Sequence, residues 1–456
     1  MNKNDIIELT AERLGAGMEG ICLCNGMPVF VPGLLPGETA SVLITKTADR
    51  YAYGKLTSAP SQPSAIRRPS DCPAFPQCGG CVCRHMQYEE TLKAKRSQIK
   101  ECMARIGKIQ IDVPPVFGMD RPFAFRNKTS LPVGGSPAHP LLGFYAERSH
   151  RIIPVRDCLN AMRPAQAISD TFLDWCAGYG IPPRQEENSR GILRHLVIRT
   201  NRNGESMVMI VAASSELPHI RELAKSLEPS GVVSLYLNEN TKLGNTILSD
   251  RFYLQAGKPY LTDRLFDLTF EISPEAFYQV NPVQTETLYK TALDFASLSQ
   301  HETVLDVYCG IGTISLTAAR VCKKIMGIEI VPGAIRNAVR NAELNHISNA
   351  EFKAGPAERL LPQLVSKGFR PDVIIVDPPR KGLDKAVIDS VAAAAPSRLV
   401  YISCDIATQA RDAKLLAERG YRLDRVQAVD MFCWASGIEN VALFLPDITV
   451  SRQQHP

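Results

Sequence analysis

From about Thr287 onward, apolar runs alternate with helix-like stretches. The runs are T-V-L-D-V-Y, I-M-G-I-E-I, D-V-I-I-V-D, R-L-V-Y-I-S-C and N-V-A-L-F-L. Strands that are apolar along their whole length must be covered on both faces. Helical segments between them supply that cover and the crossovers that parallel pairing requires. The C-terminal part therefore reads as an α/β domain with a mostly parallel sheet. Open sheets of this kind bind ligands beyond the carboxyl ends of their strands. Residues at those ends become the candidates for chemistry.

The segment V-L-D-V-Y-C-G-I-G-T-I-S-L places a strand end at Asp306 to Tyr308, a turn with Gly310 and Gly312, and then a helix. The glycines let the backbone approach a ligand. Glu329 stands nineteen residues after Gly310, at the end of the next strand. A carboxylate there can accept hydrogen bonds from both ribose hydroxyls, a contact that suits NAD as well as S-adenosylmethionine. A third strand candidate, A-E-F-K-A-G, leads into P-A-E. The fourth, D-V-I-I-V-D-P-P-R-K-G, puts Asp377 beside a stiff Pro-Pro turn, and this arrangement favours S-adenosylmethionine. A helix cap is the plainer role for that carboxylate. Gly15, Gly17 and Gly20 also fit G-x-G-x-x-G, but strand and turn residues follow where a dinucleotide site needs a helix. They are expected to be barrel turns.

The remaining chain reads as two further units. Residues 1–60 contain G-I-C-L-C, P-V-F-V-P, E-T-A-S-V-L-I-T and Y-A-Y-G-K-L between Gly and Pro, the pattern of a small β-barrel. Residues 61–285 open with the linker S-A-P-S-Q-P-S-A-I-R-R-P and a cysteine-rich loop from Cys72 to Cys83. A basic helix from about Tyr88 to Ile106 follows, then an α/β domain with runs such as H-L-V-I-R-T and S-M-V-M-I-V-A-A. Residues 286–456 form the third unit.

Hydrophobic residues are 45% and charged residues 22% of the 456, a globular balance that excludes disorder and fibrous repeats. No apolar run approaches the roughly 18 residues of a membrane span, and the start has no apolar signal core. The expected location is the cytoplasm, where the 13 cysteines stay reduced. Between Ser61 and Ser130 there are twelve Lys/Arg and six Asp/Glu, whereas the other 40 basic and 41 acidic residues nearly cancel. One basic segment on a neutral body suits a phosphate backbone; a solvated charged surface gives the same signal.

Clustered reduced cysteines read as metal ligands or nucleophiles. Cys72, Cys78 and Cys81 are spaced C-x5-C-x2-C, and three ligands leave one position open; Cys158, in V-R-D-C-L-N, is the best remote fourth. Four thiolates suit zinc or an iron–sulfur cluster, and spacing does not choose between them. Cys83 reads as a spare. Cys404 ends the fifth strand, on the ligand-binding edge. Buried packing is the ordinary fate of a cysteine, but this position and the polar D-I-A-T-Q-A-R-D after it favour a nucleophile.

Taken in order, F-Y-Q-V-N-P-V-Q, the glycine turn, D-P-P-R-K-G-L, Y-I-S-C-D with A-R-D, and D-M-F-C-W-A-S-G-I-E-N-V-A resemble the RNA uracil-5-methyltransferases. The N-terminus looks like a TRAM domain, an RNA-binding relative of the oligonucleotide-binding barrel. With the cysteine loop, the whole chain is similar to the TRAM-containing iron–sulfur subgroup that acts on 23S rRNA. The resemblance implies a Rossmann-like class I methyltransferase domain, S-adenosylmethionine held by Gln279, Tyr308, Glu329 and Asp377, and a [4Fe–4S] cluster on Cys72, Cys78, Cys81 and Cys158. It also implies RNA as partner, 23S rRNA first and tRNA as the alternative; for an enzyme working on a large RNA, a monomer is the default expectation. Cys404 is then the thiolate that adds to uracil C6. Glu439 is implied as the base that removes the C5 proton; without the motif it is an ordinary exposed carboxylate. Arg380 is expected to help hold the nucleotide, which must leave its stack to be reached.

Three departures stand out. Ile406 replaces a common proline after S-C-D, Cys433 and Trp434 replace Pro-His after D-M-F, and Pro356 replaces a polar residue near the adenine. Two other classes fit the sequence less well. Amino methylation usually shows an aromatic after D/N-P-P, where this chain has Arg380, and it needs no cysteine. A non-catalytic RNA-binding protein would not need Cys404, Glu439 and the glycine turn together.

Overall fold

The computed structural model describes residues 1–185, 190–242 and 244–447. At the N-terminus, β1 (Ile6–Leu14), β2 (Gly20–Cys24), β3 (Met27–Val31), β4 (Thr39–Thr47) and β5 (Ala52–Leu56) close into a barrel in the order β1-β2-β3-β5-β4. Leu9, Ala11, Cys22, Val29, Val31, Val42 and Ile44 fill it. Closure leaves no unpaired edge. The expected strands are present, and β1 is an addition. Its I-I-E-L-T-A-E-R-L is rich in helix formers, yet it pairs with β2 on one side and β4 on the other. A Cβ at Gly20 would stand 2.6 Å from the Leu34 carbonyl oxygen, and those at Gly15 and Gly17 would meet the Glu19 side chain. The early glycines are turn and close-approach positions, as expected.

After the linker, α1 (Tyr88–Cys102) runs into a wider turn over Met103–Gly107, stopped by Lys108 with φ 59°. The middle sheet has the order β12-β11-β10-β9-β6-β7-β8. It is built from β6 (Lys128–Gly135), β7 (Pro140–Tyr145), β8 (Ile152–Pro154), β9 (Leu193–Thr200), β10 (Ser206–Ala212), β11 (Val232–Glu239) and β12 (Phe252–Gly257). Helices α2 (Pro164–Tyr179) and α3 (Ile220–Leu227) cover it through Phe172, Trp175, Leu223 and Leu227. A hairpin of β13 (Leu261–Leu265) and β14 (Leu268–Ile272) follows.

The C-terminal sheet has the order β17-β16-β15-β18-β19-β21-β20. Its elements are α4 (Pro282–Ala296), β15 (Thr303–Val307), α5 (Thr313–Ala319), β16 (Lys324–Glu329), α6 (Pro332–Leu344), β17 (Ala350–Ala354), α7 (Ala357–Ser366), β18 (Val373–Val376), α8 (Lys385–Ala394), β19 (Arg398–Ser403), α9 (Ile406–Ala417), β20 (Tyr421–Val429) and β21 (Glu439–Pro446). The first five strands are parallel, and β21 inserts antiparallel between β19 and β20. One face buries Val304, Ile375, Val400 and Ile402 against α4 and the β13–β14 hairpin. The other buries Leu305, Ile374, Leu399 and Tyr401 against α7, α8 and α9, together with Ile99 and Met103 from α1 and its continuation and Val113 and Val116 from the segment that follows. The basic helix is therefore a strap on the C-terminal sheet. Among the described residues no helix is long and apolar enough to cross a membrane.

Candidate active site

Strand register brings the sequence candidates to one edge. Val307 pairs with Ile328 and with Val376, and Val376 pairs with Tyr401. The next residues outward are Glu329, Tyr308 and Asp377, ending three neighbouring strands. Ser403 pairs with Asn440 across the antiparallel β19–β21 ladder. Cys404 leaves β19 where Glu439 enters β21. Residues 308, 329, 377, 404 and 439, scattered in sequence, thus form one row at the sheet's carboxyl edge.

The Tyr308 and Glu329 half of the row is braced by backbone. The carboxylate of Glu329 accepts the Gly310 N–H at 3.2 Å and the Val331 N–H at 2.9 Å. Gly310 and Gly312 have φ of 55° and 83°; a side chain at Gly312 would also press on Phe352 and Ala338. Tyr308 itself sits at φ 73°, rare for a bulky residue and a form of strain that concentrates at functional sites. Gln279 is buried, and its carbonyl accepts the Asn127 side-chain amide at 2.9 Å. Two residues on, Asn281 caps α4 by accepting the Gln284 N–H at 3.2 Å. The loop carrying Gln279 is therefore pinned to the middle sheet. Beneath the turn, Ser315 donates to the buried Asp306 at 2.5 Å. Burial nonetheless pushes Asp306 up to about 7.

The other half concentrates acids. Burial first, then the charges of Glu439 and Asp377, push the half-buried Cys404 thiol up to about 11, with Arg380 pulling the other way. Glu439 is buried, its Oε2 has no hydrogen-bond partner, and burial beside Asp377 raises it well above an ordinary carboxyl. Asp377 rises to about 7 through burial and Asp306. Three acids against one guanidinium favour proton-holding forms. Arg380 lies in a loop fixed from below by buried Asp412, which accepts the Leu383 N–H at 2.7 Å, the Tyr401 hydroxyl at 2.8 Å and the Arg411 guanidinium. The Asp405 side chain caps α9 by accepting the Thr408 N–H at 3.0 Å, so Cys404 stands just before a helix N-terminus, whose dipole favours negative charge.

Cys72, Cys78, Cys81 and Cys158 all line one cavity of about 30 Å³. The Cys78 thiol is raised by burial and by the other three sulfurs. Asn160 donates to the Cys81 sulfur at 3.3 Å. Among the described residues no three Cys, His, Asp or Glu side chains gather closely enough for a single ion. Cys83 is fully buried among Met18, Leu35 and Met86. Sequence reading gave no role to Asp412 and Asp430, although both fall in quoted motifs, nor to Lys95, Tyr88 and Arg84; Lys95 and Tyr88 act on Asp430 more than 300 residues away. The departures Cys433 and Trp434 are both buried.

The five-stranded barrel followed by this sheet, glycine turn and strand-end row defines an S-adenosylmethionine-dependent methyltransferase of class I fold. The family profile described as tRNA (Uracil-5-)-methyltransferase matches residues 247–446, and the TRAM domain profile matches residues 2–57. A relative from Halalkalibacterium halodurans, named an uncharacterized RNA methyltransferase, is 42% identical over 97% of both chains. One of the same name from Clostridium tetani is 40% identical over 97% of both. The crystal structure of Pyrococcus abyssi tRNA (uracil-54, C5)-methyltransferase in complex with S-adenosyl-L-homocysteine aligns over 96% of this chain and 99% of that one, with TM-score 0.77 and 25% identity. The chain belongs to the RNA uracil-5-methyltransferase family.

Proposed function

We propose that the protein methylates C5 of a uracil in 23S rRNA through a covalent adduct of Cys404 with C6. The observation that carries this reading is the pairing of Ser403 with Asn440, which sets Cys404 and Glu439 side by side next to Asp377 and Arg380. Uracil C5 is a poor nucleophile. Once its thiol proton has left to solvent, the Cys404 sulfur bonds to C6, and the electrons of the C5–C6 double bond make C5 enolate-like. S-adenosylmethionine, when bound, supplies an electrophilic methyl group. C5 would take that methyl group as its bond to the sulfonium sulfur breaks; Glu439, in its carboxylate form, then takes the C5 proton, the double bond re-forms and the Cys404–C6 bond breaks. Gln279, Tyr308, Glu329 and Asp377 are the proposed cofactor contacts. Cys404→Ala should abolish methyl transfer while cofactor binding survives; full retained activity rejects the scheme.

The chain's likeness to a tRNA (uracil-54, C5)-methyltransferase over nearly its whole length favours a second reading, the same chemistry on tRNA. Mapping 5-methyluridine in rRNA and tRNA with and without the protein separates the two. The proposed division is a TRAM barrel at 1–60, a cysteine-loop and central unit at 61–285, and the methyltransferase unit at 286–456.

The four thiols lining one cavity are proposed to hold a [4Fe–4S] cluster. An all-thiolate set fits it. Each iron of such a cluster would take one thiolate, which does not require three side chains to converge on a single ion. The motif is not C-x3-C-x2-C, so the cluster's role is structural or RNA-positioning rather than as an electron source. Anaerobically purified protein should be brown, contain iron and lose its visible absorption on Cys78→Ser; colourless protein containing only zinc rejects the cluster.

A further inference from the structure

Glu439 is buried and its Oε2 has no partner. With that oxygen unheld, the backbone that delivers the side chain, residues 430–438, bears directly on where it stands. That segment is clamped at its start. Asp430, fully buried, accepts the Lys95 ammonium at 2.5 Å and the Tyr88 hydroxyl at 2.7 Å, and Lys95 also donates to the Phe432 carbonyl at 3.1 Å. Its second clamp is Trp434. The indole N–H donates to the Pro122 carbonyl at 2.8 Å, and the Trp434 carbonyl accepts the N–H groups of Val82 and Cys83 at 2.9 and 3.2 Å. Those two residues directly follow Cys81.

Arg84 completes the connection. Its guanidinium lies over the Trp434 ring, 5.2 Å from the centroid, and is 1% exposed. It donates to Asp71 at 2.6 Å and to Asn160 at 2.5 Å. Asn160 in turn donates to the Cys81 sulfur at 3.3 Å. A desolvated guanidinium over an indole is among the stronger cation–π contacts. The cysteine loop and the segment leading to Glu439 thus share one buried stack, at the position where this chain departs from Pro-His.

We propose that Trp434, held against the cysteine loop by Arg84, is a positioning residue for Glu439, so that removal of the C5 proton depends on an intact cysteine loop. The inference rests on the role given to Glu439 above. It predicts a defect confined to the late step. With ordinary uracil RNA and S-adenosylmethionine, Trp434→Ala should slow product release from the Cys404 adduct by roughly a hundredfold, the scale of a small misplacement of a reacting group. Covalent protein–RNA adduct should then accumulate on gels. Capture of 5-fluorouracil RNA needs addition and methyl transfer but no proton removal, and should stay within about twofold of the parent, the proton-removal step alone carrying the loss. Trp434→Phe keeps a ring under Arg84 and should restore most of the rate. Arg84→Met carries the same test if Trp434→Ala does not fold.

Glu439→Gln is the control: if it fails to accumulate adduct, the role of Glu439 falls. If it accumulates adduct and neither Trp434→Ala nor Arg84→Met does, the positioning role falls alone. Equal slowing of 5-fluorouracil capture also overturns it, as a general collapse of the site. A readout independent of turnover uses the chain's two tryptophans, Trp175 and Trp434. With Trp175→Phe, Trp434 is the sole tryptophan and can be excited apart from the tyrosines, and adding Cys81→Ser should shift its emission maximum. With Trp434→Phe instead, Trp175 should not respond. An unchanged Trp434 maximum overturns the link.

Discussion

A thiol pushed up to about 11 is nearly all protonated at neutral pH, so the resting site holds Cys404 in its unreactive form. Below that value the thiolate fraction grows tenfold for each pH unit. Alkylation of Cys404 by iodoacetamide in RNA-free protein, followed at that peptide by mass spectrometry, should therefore speed up steadily from pH 7 to pH 10. Arg380 is the group that draws the thiol down, so Arg380→Ala should slow alkylation throughout that range; an unchanged rate would show that its charge does not reach the sulfur. Among the candidates, Tyr308, Glu329, Asp377 and Cys404 were legible because each directly ends an apolar strand run. Glu439 was not legible that way. It begins its strand, and without the motif nothing distinguishes it from a surface carboxylate.

At the scale of elements, the central strands of the C-terminal sheet were readable because both faces are buried and their residues are apolar throughout. β20 was not read: its Y-R-L-D-R-V-Q-A-V mixes charges into an edge strand that needs cover on fewer sides. β1 was missed for a related reason, since its helix-forming composition is overruled by pairing on both edges of a closed barrel. The loop after β18 owes its shape to α9. Asp412 lies one helix away yet fixes Leu383 and Tyr401 together, and a side chain at Gly382 would come within 2.5 Å of its carboxylate. Asp412→Asn loses charge-assisted bonds to a buried acceptor and should cost about 1.5–3 kcal/mol. The urea midpoint should fall, and methyl transfer should fall further than S-adenosylmethionine affinity, because the loop carries Arg380 rather than Glu329, the proposed ribose contact.

Across the whole molecule, part of the basic segment that looked like an RNA footprint serves internal pairing instead. Arg67 binds buried Glu38, Arg84 binds Asp71, and Lys95 binds Asp430. Lys93 and Arg105 keep largely exposed side chains on the strap. No sequence pattern announces a pair whose members stand 335 residues apart. Lys95 reads as one more cation on a solvated helix, yet it and Asp430 are both fully buried. Such a pair fixes how α1 lies on the C-terminal sheet more than it adds net stability, because desolvating two ions offsets most of their attraction. Its energetics should show that signature. Lys95→Met leaves a buried carboxylate without its cation and should cost about 3–5 kcal/mol. Lys95→Met combined with Asp430→Leu removes the stranded charge and should lose much less than the sum of the single changes. Urea unfolding of the three variants reads this directly, and additive losses would mean that the two side chains do not act as a pair. The double variant should still turn over slowly and accumulate the Cys404 adduct, since the start of the segment proposed to position Glu439 would be packed but no longer anchored.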